Sequence, residues 1–257
     1  MNLQAPFDNP DEIDPKLASA PQIYALLRSD CIRMKLAPGQ TLSEKEIAAR
    51  FGTSRQPVRE AFIKLAEAGH LRILPQRGTF VVKISQRAVG DARFVREAVE
   101  VAVARTCCRL ASPAAIDAIA TVIDAQSAAA TRGDHEGFLA LDEQFHRALA
   151  EAIDCAEAWR AIENGKAQMD RVRYLSLPEA SPMTLLIEQH VDILEAIRRQ
   201  DEAAAANAMR VHLREILLAL PRLAQQRPDL FEAEPLPIHA ADLNPARLPP
   251  ERRDHAQ

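Results

Sequence analysis

Apolar residues recur at helical spacing from the twentieth residue onward: Ile23, Leu26, Leu27, Ile32 and Leu36 predict a helix starting near Pro21 and ended by "APG". A second helix is predicted in "TLSEKEIAARFG", with Ser43 as N-cap, Glu46 as its capping-box partner and Gly52 as the stop. In "TSRQPVREAFIKLAEAGHL" either Thr53 or Ser54 caps a third helix, and Pro57 sits in its first turn. Val58, Phe62 and Leu65 line one face of that helix, and Gly69 ends it. The pattern then becomes strand-like, with β-rich runs at 71–74 and 79–82 on either side of "PQRG", a hairpin with glycine at its turn. Three short helices followed by a hairpin predict a winged helix-turn-helix over residues 20–85.

From Gln86 the periodicity is helical throughout, over 86–111, 113–131, 134–152, 155–176, 182–200 and 202–220. Connections as short as "SP", "RGD" and "QD" favour antiparallel neighbours, so residues 86–225 are expected to form a bundle of about six helices. The fold class is therefore mainly α: an N-terminal winged helix-turn-helix followed by an all-helical bundle. Residues 1–19, with three prolines and four acids, read as a flexible arm, and residues 226–257, proline-containing and poor in large apolar side chains, as a disordered tail.

Composition supports a helical reading: only 8 glycines and 4% aromatics in 257 residues suit closely packed helices better than a large sheet. No apolar run approaches a membrane span and the acidic N-terminus has no basic start, so a cytoplasmic protein is expected, with no membrane partner. Cys31, Cys107, Cys108 and Cys155 form no CxxC pair and read as reduced, small core residues.

The net charge of −4 argues weakly against a nucleic-acid partner, but the average conceals an asymmetry. Residues 20–85 hold 11 Lys or Arg against 5 Asp or Glu, whereas residues 86–225 hold 16 against 21. A basic module joined to an acidic one is what a DNA reader with a separate second domain would show. A recognition helix needs hydrogen-bonding side chains in its first turns and an apolar face behind them. Ser54, Arg55, Gln56 and Arg59 supply the first requirement, Lys45 on the preceding helix is placed for phosphate, and Gln76, Arg77 and Gly78 form the wing tip.

The stretch "LSEKEIAARFGTSRQPVREAFIKLAEAGHLRILPQRGTFV" resembles the winged-helix DNA-binding domain of the GntR family over about residues 20–83. By that resemblance Arg55 and Arg59 contact bases or neighbouring phosphates, Lys45 contacts phosphate, and Arg77 with Gly78 enters the minor groove. The family often carries arginine at the position of Lys45; lysine keeps the charge and loses the bidentate fork, which makes a phosphate contact its safer role.

In the helical region Asp142 and His146 lie four residues apart and share one helix face, while His190 and His212 fall within the apolar stripes of two later helices. Spacing alone leaves open an incidental ion pair with satisfied core histidines, or a site in which three imidazoles and a carboxylate bind Zn, Ni, Fe or Mn. Arg96 lies with Val99 and Val103 on an inward face, where Glu100 one turn on can neutralise it. Arg171, Arg173 and Tyr174 are weaker candidates for ligand contact.

"REAVEVAVARTCCRLAS", "LDEQFHRALAEA" and "IEQHVDILEAIRRQDEAAAANAMRVHL" resemble the all-helical FCD domain of the FadR-type branch, over about residues 88–220. The resemblance implies a divalent metal, zinc first, on Asp142, His146, His190 and His212, with Arg96 binding the carboxylate of a small acid. The expected function is a ligand-responsive repressor that binds a palindromic operator in double-stranded DNA as a homodimer and senses a small carboxylate or hydroxy acid. Two alternatives stand beside it: a metal-dependent enzyme using Glu143 or Glu100 as base, and a structural metal in a dimerisation bundle.

Overall fold

The computed structural model describes residues 13–163, 165–177 and 182–241. The chain divides into two compact units, residues 1–84 with Asp229–Glu232, and residues 85–228 with 233–257.

The first unit runs α1 (Ser19–Ile32), β1 (Thr41–Leu42), α2 (Glu44–Arg50), α3 (Arg55–Glu67), β2 (Leu71–Leu74) and β3 (Gly78–Val81). Ile23, Leu27, Val58, Phe62 and Leu65, the periodic positions of α1 and α3, are buried together in its core. The hairpin β2–β3 pairs antiparallel from Leu71 opposite Val81 to Leu74 opposite Gly78. A third strand, β1, pairs with the other edge of β3 and gives the order β1-β3-β2. Two residues are too few to leave a period in the sequence, so this strand was not anticipated.

Ser43 caps α2 as expected, its Oγ accepting from Glu46 N at 3.4 Å. Ser54 stands at the N-cap of α3 but makes no capping bond. Part of the expected flexible arm is tied down: the Gln22 amide accepts from Asp14 N and donates to the carbonyls of Asp14 and Ala18. Residues 1–12 lie outside the described residues.

The second unit comprises α4 (Gln86–Leu110), α5 (Pro113–Thr131), α6 (His135–Glu151), α7 (Ala156–Glu163), α8 (Ala167–Ser176), α9 (Met183–Arg198), α10 (Glu202–Gln226) and α11 (Ile238–Ala241). The side chains of Ser85, Ser112, Asp134 and Asp201 accept from the first-turn amides of α4, α5, α6 and α10, which fixes where each helix begins. Helices α4, α9 and α10 pack against one another, with α5 against α6 and α9. Their shared core includes Ala104, Phe145, Leu149, Ile193, Ile197 and Met209.

Four expectations need correction, the first being that Cys155, expected with the other cysteines to be a core residue, is exposed. The single helix expected over 155–176 is two, interrupted around Gly165, a poor helix former whose N–H closes a turn on the Ile162 carbonyl. Helix α10 continues past residue 220 through Pro221 to Gln226, because Leu223 remains buried beyond the expected end.

The tail expected to be disordered is ordered to residue 241. Ile84 N donates to the Leu230 carbonyl and Glu232 N to the Ile84 carbonyl, burying Leu230 and Phe231 in the first unit. In the second unit Pro237 and Ala240 lie against Gly90 of α4, and His239 meets Phe94 edge-on. A few apolar residues suffice here because each is paired with a specific partner. Residues 242–257 lie outside the described residues. No helix among the described residues is long and apolar enough to cross a membrane.

Candidate metal centre and nucleic-acid interface

Four side chains from three helices meet in the second unit. Asp142 and His146 come from α6, His190 from α9 and His212 from α10, all buried, with one ligand atom of each within 4.8 Å of every other. The Nε2 of His212 lies 3.1 Å from that of His146 and 3.3 Å from that of His190. The two Asp142 oxygens are each 3.6 Å from an imidazole Nε2, one on His146 and one on His190.

The protons on these rings follow from their outer partners. Gln126 donates its Nε2 to the Leu141 carbonyl at 3.2 Å, which turns its Oε1 toward His190 Nδ1 at 2.9 Å. Gln189 donates to Glu215 at 3.3 Å and so presents its Oε1 to His212 Nδ1 at 3.1 Å. Glu100 faces His146 Nδ1. An amide oxygen and a carboxylate only accept, so each Nδ1 carries the proton and, in a neutral ring, each Nε2 is a bare lone pair. Burial holds His190 neutral, its pKa pushed down to about 3, and holds His212 well below its ordinary value, with the neighbouring imidazoles adding to the effect.

Three lone pairs and a carboxylate pointed at one another repel unless a cation lies among them. The residues therefore fit a divalent metal, and neutral imidazoles with a carboxylate suit zinc and its transition-metal neighbours. Burial opposes ionisation of Asp142, but Arg173 and the imidazoles outweigh it and hold the carboxyl below the usual carboxylate range. The Arg173 guanidinium is the direct ion-pair partner of Asp142.

A small cavity of about 40 Å³ opens beside the cluster, lined by Arg93, Arg96, Arg173, Asp142, His212 and Glu215 among others. Arg96 is there as expected, and Glu100 does neutralise it, accepting from its Nε at 2.6 Å. Burial works against the Glu100 charge, yet Arg96 and His146 bring its pKa down to about 2. Arg171 is fully buried and does not line the cavity; Arg173 does. Two residues along a helix turn about 200° around its axis, so the two arginines of α8 face different surroundings. Neither acid considered as a base stands free, since Glu143 pairs with Lys166 and Glu100 with Arg96 and His146.

In the first unit Lys45, Ser54, Arg55, Gln56 and Arg59 are all exposed, as are Gln76, Arg77 and Gly78 at the hairpin tip. Gln76 and Gly78 have φ of 61° and 106°, left-handed backbone that makes the wing tip tight. Gln56 donates to Glu60 at 3.1 Å. Glu44 accepts from both Arg55 and Arg59.

Sequence reasoning missed Glu44, Gln126 and Gln189. Glu44 lies 11 and 15 residues from its partners, and Gln126 lies 64 from its histidine, so no local spacing could reveal them.

Residues 19–81 match the bacterial regulatory proteins of the gntR family, and residues 91–215 match the FCD domain. The chain is 42% identical over 223 residues to the HTH-type transcriptional repressor RspR of Escherichia coli (strain K12), covering 87% of this chain and 98% of that one. It is 36% identical over 216 residues to an HTH-type transcriptional regulator of Streptomyces ambofaciens, covering 82% and 89%. The solved structure of E. coli McbR/YncC shares the fold, with a TM-score of 0.68 at 20% identity over 82% of this chain and 99% of that one. The chain belongs to the GntR family of bacterial transcriptional regulators, with a winged-helix domain joined to an FCD domain, and is a DNA-binding regulator rather than an enzyme.

Proposed function

We propose that this regulator is a cytoplasmic repressor that binds a palindromic operator as a homodimer, holds a divalent metal in its helical domain and releases DNA when a small organic acid binds there. The observation that carries the sensing half is the convergence of three Nε2 lone pairs on one point beside Asp142. Asp142, His146, His190 and His212 hold the metal, zinc first among the candidates. When bound, the ion supplies a positive centre able to chelate one carboxylate or hydroxyl of an acid. Arg96 and Arg173 line the same cavity and offer the fork geometry that pairs with a carboxylate. The small cavity favours a compact carboxylate or hydroxy acid over a long acyl chain.

For the DNA half, Arg55, Gln56 and Arg59 read base edges, Ser54, Lys45 and the wing residues Arg77 and Gly78 contact the backbone or the minor groove, and the uncommitted Ser54 hydroxyl supports that role. The RspR likeness supports repression. Coupling requires only that the acid bind one arrangement of the dimer better than the other.

The test is elemental analysis of the purified protein, followed by a thermal-shift screen of small organic acids with and without chelator. Acids that raise the melting temperature are then added to a gel-shift titration. Stoichiometric metal, a chelator-sensitive acid response and release of DNA by the same acid are expected. A specific DNA complex indifferent to every acid and to chelation would sink the sensing half and leave a structural metal.

A further inference from the structure

Glu44 is an acid on a surface built to meet phosphates, and an isolated carboxylate there repels DNA. It opens α2, and its carboxylate gathers both leading arginines of α3. Arg59 binds it in bidentate fashion, Nε to Oε1 at 2.9 Å and NH2 to Oε2 at 3.0 Å. Arg55 places both Nε, at 3.3 Å, and NH2, at 2.8 Å, on Oε2. The two arginine side chains are 64% and 53% exposed and Glu44 only 22%, so the carboxylate sits beneath the guanidiniums.

The choice of donors matters. A guanidinium has two forks, one along its side made by Nε–H and NH2, and one at its end made by NH1 and NH2. Glu44 takes the side fork of both arginines and leaves the end fork, NH1 with the second NH2 hydrogen, for guanine O6 and N7. Two flexible cations thereby become a fixed pair with their reading ends outward. One carboxylate also offsets part of their joint charge. The Arg59 hydrogen bond, then that of Arg55, brings the pKa of Glu44 down to about 2, so it is charged at any working pH.

We propose that Glu44 is a positioning residue for base reading, which orients Arg55 and Arg59 as one donor pair and withholds them from indiscriminate phosphate contact. The inference rests on those two arginines being readers of the operator.

The test uses the full chain and its Glu44→Gln, Glu44→Asp and Arg59→Ala variants. A pool of randomised duplexes is selected on the wild type, and each protein is titrated against the enriched duplex and a scrambled one across a salt series. Glu44→Gln keeps the shape and loses the charge. Its ratio of specific to scrambled affinity is expected to fall about tenfold, toward the lower end of what one bidentate base contact contributes. Its scrambled-duplex affinity is expected to rise, with a salt slope steeper by about 1. Glu44→Asp restores most of the ratio.

A purely structural role would instead lower both affinities in step with the melting temperature, and that result overturns the inference. An unchanged ratio in Glu44→Gln, with Arg59→Ala losing it, overturns the inference alone. If the wild type enriches no sequence, or Arg59→Ala keeps the ratio, the reading role falls and the inference with it.

Discussion

Gln126 settles something His190 cannot settle for itself: which ring nitrogen keeps the proton and which is left for a metal. It can do so because its own amide is turned by the Leu141 carbonyl. Such outer partners are worth about 10- to 100-fold in metal affinity. Gln126→Leu is therefore expected to weaken zinc binding by that factor while all four ligands remain, measured by competition with a chelating dye. Unchanged affinity would show that the ring does not need the amide.

The same burial makes the metal-free protein sensitive to acid. His190 and His212 have folded pKa values depressed from 6.5, burial being the first cause for each. A histidine held neutral in the fold takes up a proton on unfolding below its ordinary value. Its contribution to stability is complete above about pH 6.5 and is lost as the pH falls toward the folded value, steepening the decline by about 1.4 kcal/mol per pH unit for each group. Urea midpoints of the chelated protein should therefore drop between about pH 6.5 and about pH 5. A flat midpoint over that range contradicts the neutral tautomers.

At the scale of elements, most helices of both units were legible because their apolar residues recur at helical spacing, whereas the break around Gly165 and the helix α11 were not. Ser43 is legible as the cap of α2, and the structure adds Ser85, Ser112, Asp134 and Asp201 as caps of α4, α5, α6 and α10. The residues of the Asp142, His146, His190 and His212 cluster were legible as polar positions on apolar helix faces, while spacing alone left their role open. What stayed hidden depends on contact between distant segments. The strand β1 exists only because β3 offers it an edge, and the ordered segment after α10 exists only because Ile84 and α4 receive it.

Gly90 tests that last point. A Cβ there would lie 2.8 Å from Pro237 Cγ and 3.1 Å from Ala240 Cβ, too close for either to stay. Alanine is also the better helix former by about 1 kcal/mol, so α4 itself should gain. Gly90→Ala is expected to raise amide exchange over 238–241 while α4 stays at least as protected as before. Equal exchange in both proteins would mean that α11 is not held by this contact.

For the whole molecule, one chain carries a basic reader and an acidic helical unit, and regulation requires that they exchange free energy. If the acid lowers operator affinity by some factor, the operator must lower acid affinity by the same factor, because the two paths to the doubly bound state have equal free energy. Couplings of this kind are typically about 5- to 150-fold. Operator titrations with and without saturating acid, and calorimetric acid titrations with and without operator, measure that factor independently. Both should return the same value for the metal-loaded protein. With chelator both should collapse to about 1 if the metal holds the acid. A large factor from the DNA titration that survives chelation would place the acid away from Asp142 and the three histidines. A factor of 1 in the loaded protein would leave the metal holding the helices together, with no part in sensing.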